Sequence, residues 1–122
     1  MNALETIQKE IEIFYDLPKN YIWQNTRKRE VVIYRHLFFY LRSKLQPQLS
    51  YSYVSKYSES KGMTRNHSTQ INSRKIIEDL IFWNTDNMAN NVDDLLEKLE
   101  PIRFVGMAKI NNLKRSLFLN GR

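Results

Sequence analysis

Apolar residues recur at Leu4, Ile7, Ile11 and Phe14, which predicts an amphipathic helix over residues 3–15 with Glu5, Lys9 and Glu12 outside the stripe. Pro18 biases Leu17 away from helical backbone and ends it. Tyr21, Ile22 and Trp23 then form a short turn whose large side chains anchor the loop to the core. The longest helix is expected over residues 30–45. Val31, Tyr34, Phe38, Leu41 and Leu45 mark one apolar face, and Val32, Ile33, Leu37, Phe39 and Tyr40 widen it. Apolar almost all round, this helix should be central and packed on several sides. Its polar positions are ordered: Lys28, Arg35 and Arg42 are seven apart, as are Arg29, His36 and Ser43, each set on nearly one line.

Pro47 breaks the chain, and Ser50 can cap a short helix running to Tyr57 with Val54 and Tyr57 inward. Residues 58–62 form a polar loop ending at Gly62, and residues 71–82 suit a further helix with apolar residues at 71, 77, 80 and 81. Short helix, connection and polar-fronted second helix behind a long central one predict an all-α fold with a helix-turn-helix, although this connection exceeds the usual three or four residues. Residues 84–87 and 90–91 suggest a turn-rich bridge, and residues 93–100 a short acidic helix with Leu95, Leu96 and Leu99, stopped by Pro101. Residues 102–105 could be a strand, while Ile110, Leu113 and Leu117 suit a helix. The expected division is a DNA-binding domain over residues 1–85 and a C-terminal helical extension over residues 86–122.

Composition narrows the class. A chain of 122 residues suggests one domain, and 42% hydrophobic with 26% charged residues is globular and not disordered. The absence of cysteine excludes disulfides and thiol chemistry and points to a reducing, intracellular site. Two histidines, His36 and His67, are too few for a typical zinc site, and no cofactor is expected. The first twelve residues hold three glutamates and no long apolar run, unlike a signal peptide. The longest nearly uncharged apolar run, 37–41, is far short of the ~20 residues a membrane span needs. A soluble, cytoplasmic protein is expected.

Charge is distributed unevenly. Residues 27–75 carry eleven cations against Glu30 and Glu59, a net +9, within a chain whose total is +6. The flanks are acidic: residues 1–26 come to −2 and residues 76–100 to −6, before a final +5 over residues 101–122. A basic block between acidic flanks is the footprint expected for a polyanion partner, although a solvated basic face is the alternative.

Inside that block, Arg65-Asn66-His67-Ser68-Thr69 places a cation, a capping amide, an imidazole and two hydroxyls at the front of a helix. Such groups can read base edges in a major groove, and they also make an ordinary N-cap. Arg35 opens the run Arg35-His36-Leu37-Phe38-Phe39-Tyr40-Leu41. On these residues, with the 7–15 helix, Leu17 and the basic segment before the long helix, residues 3–82 resemble the C-terminal DNA-binding domain (domain IV) of the bacterial replication initiator DnaA. The pentapeptide is similar to that family's Arg-Asp-His-Ser/Thr-Thr, and Arg35 to the arginine within its long helix.

The resemblance implies a Trp-repressor-like helical domain that binds double-stranded DNA boxes and regulates replication or transcription, nucleoid-associated and not an enzyme. It implies that Asn66, His67, Ser68 and Thr69 face the major groove and that Arg35 enters the adjacent minor groove. Arg27, Lys28, Arg29, Arg65 and Lys75 would then lie near phosphates, and Arg42 and Lys61 are placed with them. The chain departs from the family in four respects. Asn66 replaces an aspartate, exchanging an acceptor for an amide that suits adenine better than cytosine. The 58–64 loop is longer, and Gln70 stands where the family has an apolar residue. No Gly-x-x-x-x-Gly-Lys-Ser/Thr pattern occurs, so an ATP-driven initiator is not expected.

Plainer readings stay open. His67 could cap or fill the core, Arg35 could bridge to Glu10 or Glu12, and the Lys28/Arg35/Arg42 line could be a solvated edge. An enzyme is the weakest reading, since the basic centre offers only Glu30 and Glu59 to orient a histidine. A module that modulates replication without reading DNA, binding a protein partner through residues 86–122, is the main alternative.

Overall fold

The computed structural model describes residues 2–63 and 67–105, with only the backbone of His67. The fold is all-α. Helix α1 (Ala3–Phe14) begins where Asn2 Oδ1 accepts from the Glu5 amide at 2.8 Å, and it buries Leu4, Ile7, Gln8 and Ile11. A 3-10 turn, Tyr21–Trp23, then buries Ile22 and Trp23. Helix α2 (Arg29–Leu45) is the axis, with Val31, Leu37, Phe38, Leu41 and Leu45 wholly enclosed. It packs against α1, the Tyr21–Trp23 turn and α4 (His67–Phe82). Helix α3 (Tyr51–Ser60) starts where Ser50 Oγ accepts from the Tyr53 amide at 3.1 Å, lies against α4, and runs three residues past the expected end at Tyr57.

Helix α5 (Met88–Leu99) closes the fold across α1 and α4, burying Met88, Val92, Leu95 and Leu99. It begins five residues before the expected acidic helix, so Asn90 and Asn91 are helical and not part of a bridge. Asparagine is a poor helix former, but burying Met88 and Val92 outweighs that. The true turn is confined to Asn84, Asp86 and Asn87, all in left-handed backbone. No strand forms over residues 102–105. A 3-10 turn spans Glu100–Ile102, and the Phe104 amide donates to the Leu45 carbonyl at 2.7 Å, sealing the end of α2. The α5 side chains belong to the same core as those of α1 and α2, so a boundary at residue 85 separates no independent core.

One amide knits the first half together. Gln8, 4% exposed, accepts at Oε1 from Trp23 Nε1 at 2.8 Å and from the Tyr57 hydroxyl. Its Nε2 donates to Glu12 at 2.9 Å and Asn20 at 2.8 Å. Around it, Trp23 meets Phe38 edge-on at 5.1 Å, and Phe38 stacks on Tyr57 at 5.7 Å. Burial, with Glu5 and Glu12 adding to it, pushes the Tyr57 phenol well above its ordinary range.

Gln8→Leu should therefore destabilise the fold by about 3 kcal/mol, since it orphans two buried donors. The urea midpoint should fall with an unchanged slope. Stability should also decline with alkali. Unfolded tyrosine loses its proton near pH ~10 while folded Tyr57 keeps its own, so stability is full below that pH and falls above it. Tyr57→Phe should make that decline shallower in pH-dependent melting.

Candidate nucleic-acid interface

Helix α4 has two sides of unlike character. Gln70, Ser73 and Ile77 are buried. Ser68, Ile71, Asn72 and Lys75 are exposed, and their i, i+3, i+4, i+7 spacing puts them on one face. The inward side is fixed by polar bonds. Gln70 Nε2 donates to the Tyr51 carbonyl and to Ser55 Oγ, both at 3.0 Å, which locks α4 onto α3. Ser73 Oγ donates to the Thr69 carbonyl at 2.9 Å. Its only proton is then committed, so the 2.7 Å contact with His36 must run from Nδ1–H to Ser73 Oγ, tying α4 to α2. The polar residue at position 70 thus makes hydrogen bonds on the buried side of α4.

The outward side carries no acid in its first half. Glu78 and Asp79 come only near the helix end, and Glu78 lies 3.6 Å from Arg74. The positive end of the helix dipole adds to the favourable potential at the start. On α3, Ser52, Tyr53 and Lys56 are exposed too. The sequence reading passed over Asn72, Tyr53 and Lys56. Counting i, i+3, i+4 and i+7 from Ser68 would have found Asn72.

The remaining candidates divide. Ser68 is exposed, Thr69 is half-buried, and His67 opens α4. Arg65 and Asn66, two of the five motif residues, lie outside the described residues. Arg27, Lys28 and Lys75 are exposed cations. Arg29 is exposed and paired with Asp86 at 3.0 Å, a surface pair worth little against a phosphate. Lys61 lies elsewhere. Its Nζ sits 5.5 Å from the Tyr57 ring, on the wall of a cavity of about 660 Å³ shared with Glu5, Glu12 and Asp16.

Arg35 and Arg42 correct the expectation. Arg35 is 4% exposed, and its guanidinium fans out over the carbonyls of Ile22 (2.6 Å), Gln24 and Thr26 (3.0 Å). It cannot enter a minor groove while it holds the 22–26 loop in place. Arg42, also buried, donates to the Leu49 carbonyl and lies 5.2 Å from the Tyr51 ring, so it clamps the connection to α3 and is not an exposed cation. A cation enclosed by aliphatic neighbours needs an outlet, and backbone carbonyls supply it here. Of the Lys28/Arg35/Arg42 line, only Lys28 reaches the surface.

No group of His, Cys, Asp or Glu residues that could hold a metal occurs among the described residues, nor a helix long and apolar enough to cross a membrane. No protein-family model, curated protein or solved structure matches the chain.

Arg35→Met should lower stability by about 3 kcal/mol, because three carbonyls lose one forked donor. Arg35→Lys should not restore it, since a single ammonium cannot span carbonyls spread over residues 22–26. Thermal denaturation of both variants checks this.

Proposed function

We propose that the chain binds double-stranded DNA through α3 and α4 acting as a helix-turn-helix, in the manner of the DnaA C-terminal domain, and regulates replication or transcription. The observation that carries this reading is the outer face of α4. Its first half presents Ser68, Ile71, Asn72 and Lys75 with no acid among them, while Gln70 and Ser73 hold the helix in register from behind. Hydroxyl and amide groups at the start of a helix can reach base edges in a major groove. Asn66, His67, Ser68 and Thr69 are the proposed readers. Arg27, Lys28, Arg29, Lys56, Arg65 and Lys75 supply phosphate contacts, which set register without reading sequence. Arg35 serves as a scaffold for the loop leading to the basic cluster.

A second reading, a protein contact, has its own observation. Phe82 and Trp83 are each 76% exposed, edge to face at 4.9 Å, at the acidic end of α4. A pair this exposed suits a partner surface, and it leaves the first half of α4 available to DNA.

Fluorescence anisotropy of a labelled DnaA-box duplex against a scrambled one, at several salt concentrations, tests the proposal. Lys28→Ala and Lys75→Ala should weaken both duplexes alike and each reduce the salt slope by about 1. His67→Ala and Ser68→Ala should narrow the gap between the duplexes and leave the slope nearly unchanged. If wild type bound neither duplex at moderate salt, the DNA reading would fall and the protein contact would stand.

A further inference from the structure

We propose that Ile71 and Asn72 form a specificity element that reads an A·T pair through the thymine methyl and the adenine edge. This rests on the reading that the outer face of α4 meets duplex DNA.

Ile71 is the anomaly among the aliphatic residues of its helix. Ile77 is wholly buried and Ile76, Leu80 and Ile81 are half-buried, but Ile71 is 56% exposed. Its neighbours on that face are polar: Ser68 one turn before, Lys75 one turn after, and Asn72 beside it. An exposed isoleucine gains nothing from the helix, since β-branching lowers helix propensity and an exposed aliphatic surface costs free energy in water. On its own helix it also lacks the apolar company that would make a docking patch, because Phe82 lies eleven residues further on, about 16 Å along the helix and past Glu78 and Asp79. A lone aliphatic group in a polar, acid-free face matches a surface that is polar with isolated apolar points.

The major-groove edge of duplex DNA is such a surface. The thymine C5-methyl is its one apolar group, and cytosine offers an amino donor and no methyl. Ile71 would be rewarded opposite thymine and left against a hydrogen-bonding edge opposite cytosine. Asn72 has the complementary chemistry. Its amide donates and accepts at once, the pattern that matches adenine N7 and N6. Lys75, one turn beyond, is placed to fix this register on a phosphate. Together they select A·T at the pair or adjacent pairs facing the second turn of α4, independently of what Asn66 to Thr69 read.

Because the decisive changes are made in the DNA, each protein, wild type or variant, is compared with itself on matched duplexes. Duplexes selected by the wild-type protein from a randomised pool would be resynthesised with single deoxyuridines for thymines and single 7-deazaadenines for adenines. One uracil position should weaken wild type about fourfold, the worth of one buried methyl, and leave Ile71→Ala unaffected. One 7-deazaadenine position should weaken wild type about tenfold and leave Asn72→Ala unaffected. If selection yields a preferred site, but uracil is neutral at every thymine or Ile71→Ala stays as sensitive as wild type, the inference is overturned while sequence-specific DNA binding stands. Absence of any duplex binding by the folded protein would overturn the DNA reading itself.

Discussion

A charge placed on a helix that is apolar almost all round has to be satisfied by whatever the chain lays against it, and α2 carries two. Arg35 gathers the carbonyls of residues 22, 24 and 26, and Arg42 takes that of Leu49. Each guanidinium thus fixes one of the connections that flank the central helix. The first leads to the Arg27–Lys28–Arg29 cluster and the second to the cap of α3. Burial lowers the tendency of Arg42 to hold its proton, but the ordinary arginine value is so high that the charge persists. The basic line along α2 is a set of internal struts with one exposed end at Lys28.

This explains why the fold was more legible than the interface. Stripes such as Leu4, Ile7 and Ile11, or Val31, Phe38 and Leu45, announce their helices because burial follows periodicity. The start of α5 was hidden because two asparagines imitate a turn, and only the packing of Met88 and Val92 overrides them. Cations carry no such signal. A seven-residue spacing puts Arg35 and Arg42 on one line of the helix, but whether that line meets water or carbonyls depends on where distant loops run. Ile71 is legible only from its phase. It is six residues from Ile77, a third of a turn away at 100° per residue, which carries it off the side that Ile77 buries. Apolar identity pointed inward while phase pointed outward, and phase was correct.

The α3–α4 pair inverts the usual assignment of polar and apolar positions. Gln70 and Ser73 lie inside, where Gln70 Nε2 is hydrogen-bonded to Tyr51 and Ser55, and Ser73 to Thr69 and His36, and Ile71 lies outside. Hydrogen bonds of this kind contribute modest net stability but are expensive to leave unmade, so they specify one register of α4 against its neighbours more sharply than apolar packing would. If α4 reads DNA as proposed, its outer residues must meet base edges within about 0.5 Å, and that needs this kind of constraint.

On the proposed reading, affinity and discrimination then come from physically separate parts. The contacts that hold α4 in place are buried and neutral, and mobile ions barely screen them. The contacts offered to phosphates, from Lys28, Lys56 and Lys75, are exposed cations whose contribution shrinks as salt competes for the backbone. Salt should change how tightly the protein holds DNA without changing the geometry with which α4 is presented to it. The acidic stretch over residues 76–100 strengthens that separation. With Glu78, Asp79 and the outer residues of α5 repelling phosphate, the first half of α4, where the polar readers and Ile71 stand, is electrostatically favoured over its second half.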